Sequence, residues 1–177
     1  MFKDAPPHNL DQTNTLTAID ALQTFINTYP DSKYAKKCSQ DLNDLRFRLE
    51  LKAYEKAKLY FKTREPSFLG RSNYKATVIS VENFRKDFPD SKFNEELSYL
   101  QILAQQELSD VSYFIKQRER YTEAINLHEK FIDKYPDSKY LKELDKIYEK
   151  SLKGLEKVAK TEKEIEEAKK LAEKEKS

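Results

Sequence analysis

Tyr29-Pro30-Asp31-Ser32-Lys33-Tyr34 returns as Phe88-Pro89-Asp90-Ser91-Lys92-Phe93 and again as Tyr135-Pro136-Asp137-Ser138-Lys139-Tyr140. Three copies of aromatic-Pro-Asp-Ser-Lys-aromatic make an internal repeat, and a repeat governs how the rest of a chain is read. Proline has no N–H and clashes with a helix running into it, so the incoming helix stops at Tyr29, Phe88 and Tyr135. Asp and Ser follow at once, and either side-chain oxygen can accept from the free N–H groups of a new helix. The pattern predicts Asp31, Asp90 and Asp137 as N-caps. Each copy thus reads as a helix stop followed by a helix start, with the two aromatics pinning the corner.

The flanks repeat with the corners. Five residues before each proline stands Phe25, Phe84 or Phe131, and eleven before stands Ile19, Val78 or Ile125. Eight after each proline come Cys38, Leu97 and Leu144. These apolar positions fall at helical spacing. The unit is therefore a helix B, a corner and a helix A. The prolines lie 59 and 47 residues apart, which calls for long helices or enlarged loops.

The composition agrees with an all-α chain. Of 177 residues only 2 are Gly and 6 are Pro, while 36% are charged and 38% apolar. The net charge of +2 comes from 33 basic and 31 acidic residues. They are interleaved along helices, which describes a solvated face and gives no electrostatic case for nucleic acid. No window reaches the roughly 18 consecutive apolar residues of a membrane-spanning helix.

Taken in order, residues 1–11 read as a loop because of Pro6-Pro7. The first helix B is expected over about 14–28, capped by Thr13 or Thr15, with Leu16, Ile19, Leu22, Phe25 and Ile26 on its apolar face. A long helix A follows from Ser32 to about Lys62, with a break near 39–40 as an option. Thr63 to Gly70 is the clearest loop, holding Pro66 and one of the two glycines. The second unit spans a helix B from about Ser72 to Asp87 and a helix A from Ser91 to about Leu108. Ser109-Asp110 either caps a new turn or is crossed by a continuing helix. The third helix B is expected over 118–134 and the last helix from Ser138. Beyond Gly154 the apolar stripe thins to Leu155, Val158, Ile165, Ala168 and Ala172 among Lys and Glu. This divides the chain into a repeat domain, 1–154, and a charged C-terminal helical extension, 155–177. The extension reads as a solvated helix, with a partner-docking helix as the other reading. Because the chain opens on a helix B with no helix A before it, it is expected to be part of something longer.

Catalytic chemistry finds few candidates. His8 and His128 lie far apart in sequence, and Cys38, the single cysteine, occupies a position held elsewhere by Leu. That leaves neither a disulfide nor a metal-ligand spacing. Two glycines do not make a phosphate-cradling loop. His128 matches Leu22 and Val81 in the repeat and reads as a packing residue. Tyr74, Tyr113 and Tyr121 are candidate partner anchors, since aromatics dominate interface hot spots; core positions are the alternative. No catalytic, cofactor or metal site is expected.

The Tyr-Pro-Asp-Ser-Lys-Tyr corner with Phe five before its proline resembles the tetratricopeptide-like repeats of outer-membrane assembly lipoproteins of the BamD family. Leu10-Asp11-Gln12-Thr13 with the run Ala18 to Ile26 resembles a middle repeat of Bacteroidetes-type members. Leu45-Arg46-Phe47-Arg48-Leu49 with Ala57-Lys58-Leu59-Tyr60 resembles the long helix A after it. Arg120 to Ile125, Tyr140 to Glu143 and Ile147 to Lys150 resemble the C-terminal repeat. The resemblance covers about residues 8–155. It implies a right-handed α-α superhelix of tetratricopeptide-like helix pairs, about three repeats plus the extension. It also implies a non-catalytic scaffold on the periplasmic side of the outer membrane, with no cofactor. Its partners would be the periplasmic domains of the barrel-inserting protein and other assembly lipoproteins. Against the family pattern, a signal peptide, a lipid-carrying cysteine and about two repeats are missing, so the chain looks like the C-terminal part; membrane association would come through the missing N-terminal lipid anchor. Another periplasmic repeat adaptor, such as the cell-division coordinator associated with the Tol–Pal system, is the alternative.

Overall fold

A computed structural model describes His8, residues 10–65 and residues 72–174. Pro6-Pro7 and the expected loop residues Pro66 to Gly70 lie outside the described residues. Within them are six helices and no strand: α1 (Thr13–Thr28), α2 (Ala35–Lys62), α3 (Tyr74–Asp87), α4 (Asn94–Asp110), α5 (Phe114–Lys134) and α6 (Leu141–Lys174). Odd-numbered helices are the B helices and even-numbered ones the A helices. Each helix packs on its neighbour in sequence, and α2 with α4 and α4 with α6 pack as well. No comparable packing joins α1 to α3 or α3 to α5. The result is a tetratricopeptide-like helical superhelix with the A helices in continuous contact.

The three corners share one backbone conformation. Tyr29, Phe88 and Tyr135 have φ of −131°, −133° and −132° and ψ of 62°, 66° and 63°. Their N–H groups donate to the carbonyls of Phe25, Phe84 and Phe131 at 2.9, 2.8 and 2.8 Å. Ser32, Ser91 and Ser138 then donate their N–H groups back to Tyr29, Phe88 and Tyr135 at 3.2, 3.2 and 3.1 Å. Pro and Asp are therefore the two central residues of a β-turn, with proline at the position its fixed φ suits.

This corrects the expected caps. None of the three Asp side chains caps a helix, because Asp sits inside the turn and the next helix starts five residues beyond the proline. Serine does not cap the helix either but closes the turn before it. Its Oγ accepts the N–H two residues on, from Tyr34 at 3.3 Å, Phe93 at 3.0 Å and Tyr140 at 3.2 Å. At the start of α1, neither Thr13 nor Thr15 is the cap: the Asp11 carboxylate accepts the Thr13 N–H at 3.0 Å. Thr15 is buried, while Leu16, expected on the apolar face, is half exposed.

Other boundaries differ by local chemistry. α2 runs without a break at 39–40, since Ser39 bonds its hydroxyl to the Ala35 carbonyl inside the helix. α4 stops at Asp110, and Tyr113 is extended (φ −57°, ψ 142°) before α5. α6 passes through Gly154 unbroken.

Two apolar clusters hold the stack. Ala57, Val81, Phe84, Leu97 and Leu100 join α2, α3 and α4. Ile102, Leu127, Phe131 and Leu144 join α4, α5 and α6. α4 contributes to both and is the most enclosed helix, burying Gln101, Gln105 and Gln106 besides its apolar residues.

Candidate docking surface

Within each corner the first aromatic leans on the Phe one turn before it. Centroid distances are 5.5 Å for Phe25–Tyr29, 5.2 Å for Phe84–Phe88 and 5.1 Å for Phe131–Tyr135. The second aromatic has a different partner, the helix A of the unit before. Phe93 stacks on Tyr54 of α2 at 4.1 Å, and Tyr140 on Tyr99 of α4 at 4.2 Å. One turn upstream of each tyrosine a glutamate takes the corner serine: Ser91 donates to Glu50 at 2.5 Å, and Ser138 to Glu95 at 2.6 Å. The tyrosine hydroxyls complete the set. Tyr54 donates to Glu96 at 2.7 Å, and Glu143 lies beside the Tyr99 hydroxyl. Burial, with Glu143 alongside, pushes the Tyr99 phenol up to about 12. A Glu-x-x-x-Tyr pair on one helix A thus latches the next corner, twice over.

On the B side the helices stand apart and leave a cleft of about 460 Å³ between α3 and α5. Val78 and Ile79 form one wall, and Leu108 and Gln105 of α4 lie on the floor. It shares Glu82 and Glu123 with a second hollow of about 390 Å³, which runs down to Pro89 and Asn94. Gln105 is held by donating to the Arg120 carbonyl at 3.0 Å, and Gln101 accepts from Arg85 at 3.4 Å. The two hollows are lined by seven cations (Lys75, Arg85, Lys86, Lys116, Arg120, Lys130 and Lys134) and three carboxylates (Glu82, Glu119 and Glu123). On a chain with a net charge of only +2 this is a local concentration of positive charge. Asn94 is buried; its amide donates to the Phe88 and Pro89 carbonyls at 2.9 and 2.8 Å, and its Oδ1 has no partner.

The candidate anchors are scattered. Tyr74 is buried beside Arg64 and Glu107, which pair at 2.5 Å. Tyr121 is also buried; it donates to Asp110 at 2.7 Å and packs over Gly154, and burial together with Asp110 pushes its phenol well up. Tyr113 is 87% exposed at the α4–α5 turn, beside Ile115 at 84%. Of the three, only Tyr113 leaves its ring exposed, and none lines the cleft. Among the corner residues Phe84 and Phe131 are buried; Tyr29, Pro30, Asp31 and Tyr34 are exposed, as are Pro89, Asp90, Pro136 and Asp137. Sequence reading missed the cleft cations and the Glu–Tyr latches. The latches carried a signal, Glu50/Tyr54 and Glu95/Tyr99 at one-turn spacing before two of the corners.

Among the described residues, no group of three or more His, Cys, Asp and Glu could hold a metal, and no helix is long and apolar enough to cross a membrane. A stack of sequential helix pairs tied corner to helix by side-chain latches defines a tetratricopeptide-like helical-repeat protein. The chain matches the YfiO family, described as outer membrane lipoprotein, over residues 2–68 and 66–169. It belongs to that family. A comparison with curated proteins gives no match.

Proposed function

We propose that this protein is a non-catalytic scaffold of the outer-membrane β-barrel assembly machinery, acting on the periplasmic side of that membrane. Its partners are the periplasmic domains of the barrel-inserting protein and, beyond them, other assembly lipoproteins. The observation that carries this reading is the α3–α5 cleft in a member of an outer-membrane lipoprotein family. The cleft joins exposed apolar surface at Ile79 to a cationic rim, the mixture that docking to an acidic protein surface uses. In this reading the repeat domain, 1–154, does the docking, and α6 beyond the buried Val158 is a mostly solvated extension.

The test is titration of the barrel-inserting protein's isolated periplasmic domains with the chain at moderate salt. Saturable binding is expected, weakened at least about tenfold by Arg85→Glu with Lys130→Glu, roughly 1.4 kcal/mol. Absence of binding, or binding that ignores the double charge reversal, overturns this assignment of the cleft.

A further inference from the structure

The α3–α5 cleft uses its charges unevenly. In the hollow towards the N-termini of the two helices, Lys116 pairs with Glu119 at 3.0 Å and Arg120 donates to the Ser112 hydroxyl. The hollow nearer the corner takes Arg85 and Lys86 from the α3 wall and Lys130 and Lys134 from the α5 wall. Among the described residues none of these four is in an ion pair. Arg85 donates one N–H to the buried Gln101 at 3.4 Å, and Lys134 lies over the Tyr135 ring at 5.5 Å. Against them stand two carboxylates, Glu82 and Glu123, so this hollow keeps an excess of positive charge.

Glu82 and Glu123 line both hollows and mark the waist between them, one on each wall. Among the described residues neither is ion-paired; Glu82 accepts from Gln101 at 3.5 Å. They are acceptors for donors crossing the waist. An extended backbone carries free N–H groups to either side, whereas a helix interior has its own bonded to the carbonyls four residues back. The spacing points the same way. Val78 and Arg85 are seven residues apart, about 10 Å along a helix, and Arg120 and Lys130 are ten apart, about 15 Å. At about 3.3 Å per residue a strand covers the mean in four residues, a separation that returns a side chain to the same face. Lys130 and Lys134 are one turn apart, about 6 Å, which matches two further residues of strand.

We propose that the cleft receives an extended acidic segment of the partner, with a large apolar side chain at one position and carboxylates four and six residues along. The apolar side chain rests on Val78, Ile79 and Leu108. A small residue passes the waist, where main-chain N–H groups donate to Glu82 and Glu123. The first carboxylate meets Arg85 and Lys130, and the second meets Lys134. The carboxylates go to this end because the cations of the other hollow, Lys116 and Arg120, are already engaged. The inference rests on the docking role given to the cleft above and adds the chemistry of what docks.

The probe is a capped peptide, Leu-Thr-Ser-Thr-Glu-Thr-Glu, titrated into the isotope-labelled full chain by NMR. The same residues in reverse order make a second probe, since the spacing reads alike in both directions. Saturable shifts from one of them are expected at Ile79, Arg85 and Lys130. The permuted peptide Leu-Thr-Ser-Glu-Thr-Glu-Thr, reversed likewise for the reverse probe, keeps composition and charge but turns both glutamates to the other face; its affinity is expected to be about tenfold lower. Lys130→Gln, at an exposed side chain, is expected to remove most of that preference while the rest of the spectrum reports an intact fold. No saturable shift at about 5 mM of either probe, shifts centred outside the cleft, or equal affinity for the permuted peptide each overturns the proposal. If the barrel-inserting protein's domains bind and respond to charge reversal while both probes fail, the docking role stands and the extended segment falls. Probe binding without binding of those domains keeps this site and removes that protein as its partner.

Discussion

Phe84 shows what one residue contributes to the repeat. It is 1% exposed in the α2–α3–α4 cluster, and Phe88 leans on it. Phe84→Ala is expected to lose about 3–5 kcal/mol in denaturant melts, the range for truncating an enclosed aromatic; a loss under about 1 kcal/mol would mean the corner does not rest on it. Gly154 is a second single-residue test. A Cβ there would fall inside contact distance of the Tyr121 ring, which the hydroxyl bond to Asp110 holds in place. Alanine gains about 1 kcal/mol of helix propensity, but overpacking costs about 1–3 kcal/mol. The net expectation for Gly154→Ala is a lower melting temperature, restored when Tyr121→Leu is added. His128 gives a pH signature. It is buried against Tyr148, with Asp145 3.5 Å away, and burial lowers its pKa despite that carboxylate. The folded state then takes up the proton at lower pH than the unfolded one. This site subtracts nothing above the unfolded value of about 6.5 and destabilises progressively as pH falls through it towards the folded value. His128→Leu is expected to flatten melting temperature against pH between about 6.5 and 5; an unchanged slope would place the effect in other groups.

At the scale of elements, the latch is what joins one unit to the next. A double-mutant cycle on Glu50→Ala and Ser91→Ala is expected to give a coupling of about 1.5–3 kcal/mol, as for a hydrogen bond to a charged acceptor. Additivity within error would reduce the contact to coincidence. Helix stops were legible in the sequence because proline acts through its own covalent geometry. Helix starts were misplaced because Asp and Ser both read as caps, whereas the β-turn through Pro and Asp carries the chain three residues past the serine before the helix begins. The latch was hidden for a related reason: Glu50 and Tyr54 sit among other charged and aromatic residues of a 28-residue helix, and which of them meets the next corner depends on how far α2 extends before the chain returns. The lining of the cleft was illegible because its walls, α3 and α5, share no substantial packing. Tyr74 and Tyr121 could not be told from Tyr113 by type, since a phenol serves a core and a surface equally well.

Over the whole molecule, burial is graded. α4 is enclosed by helices on both sides, whereas α1 buries only Thr15 and α6 buries nothing after Val158. In a linear array each unit is stabilised by its neighbours. Hydrogen exchange is expected to be slowest in α4 and fastest in α1 and residues 160–174, with opening from the two ends inward. Uniform protection along the chain would contradict this.

The A helices are stapled edge to edge while α3 and α5 are not, so the stack resembles a book bound along its spine. Such an object resists stretching at the binding and yields at the open edge. Anything gripped between α3 and α5 would set the opening angle, and with it the direction in which the first and last helices point. A partner held in the cleft could in that way re-aim both ends of the chain without unfolding any part of it.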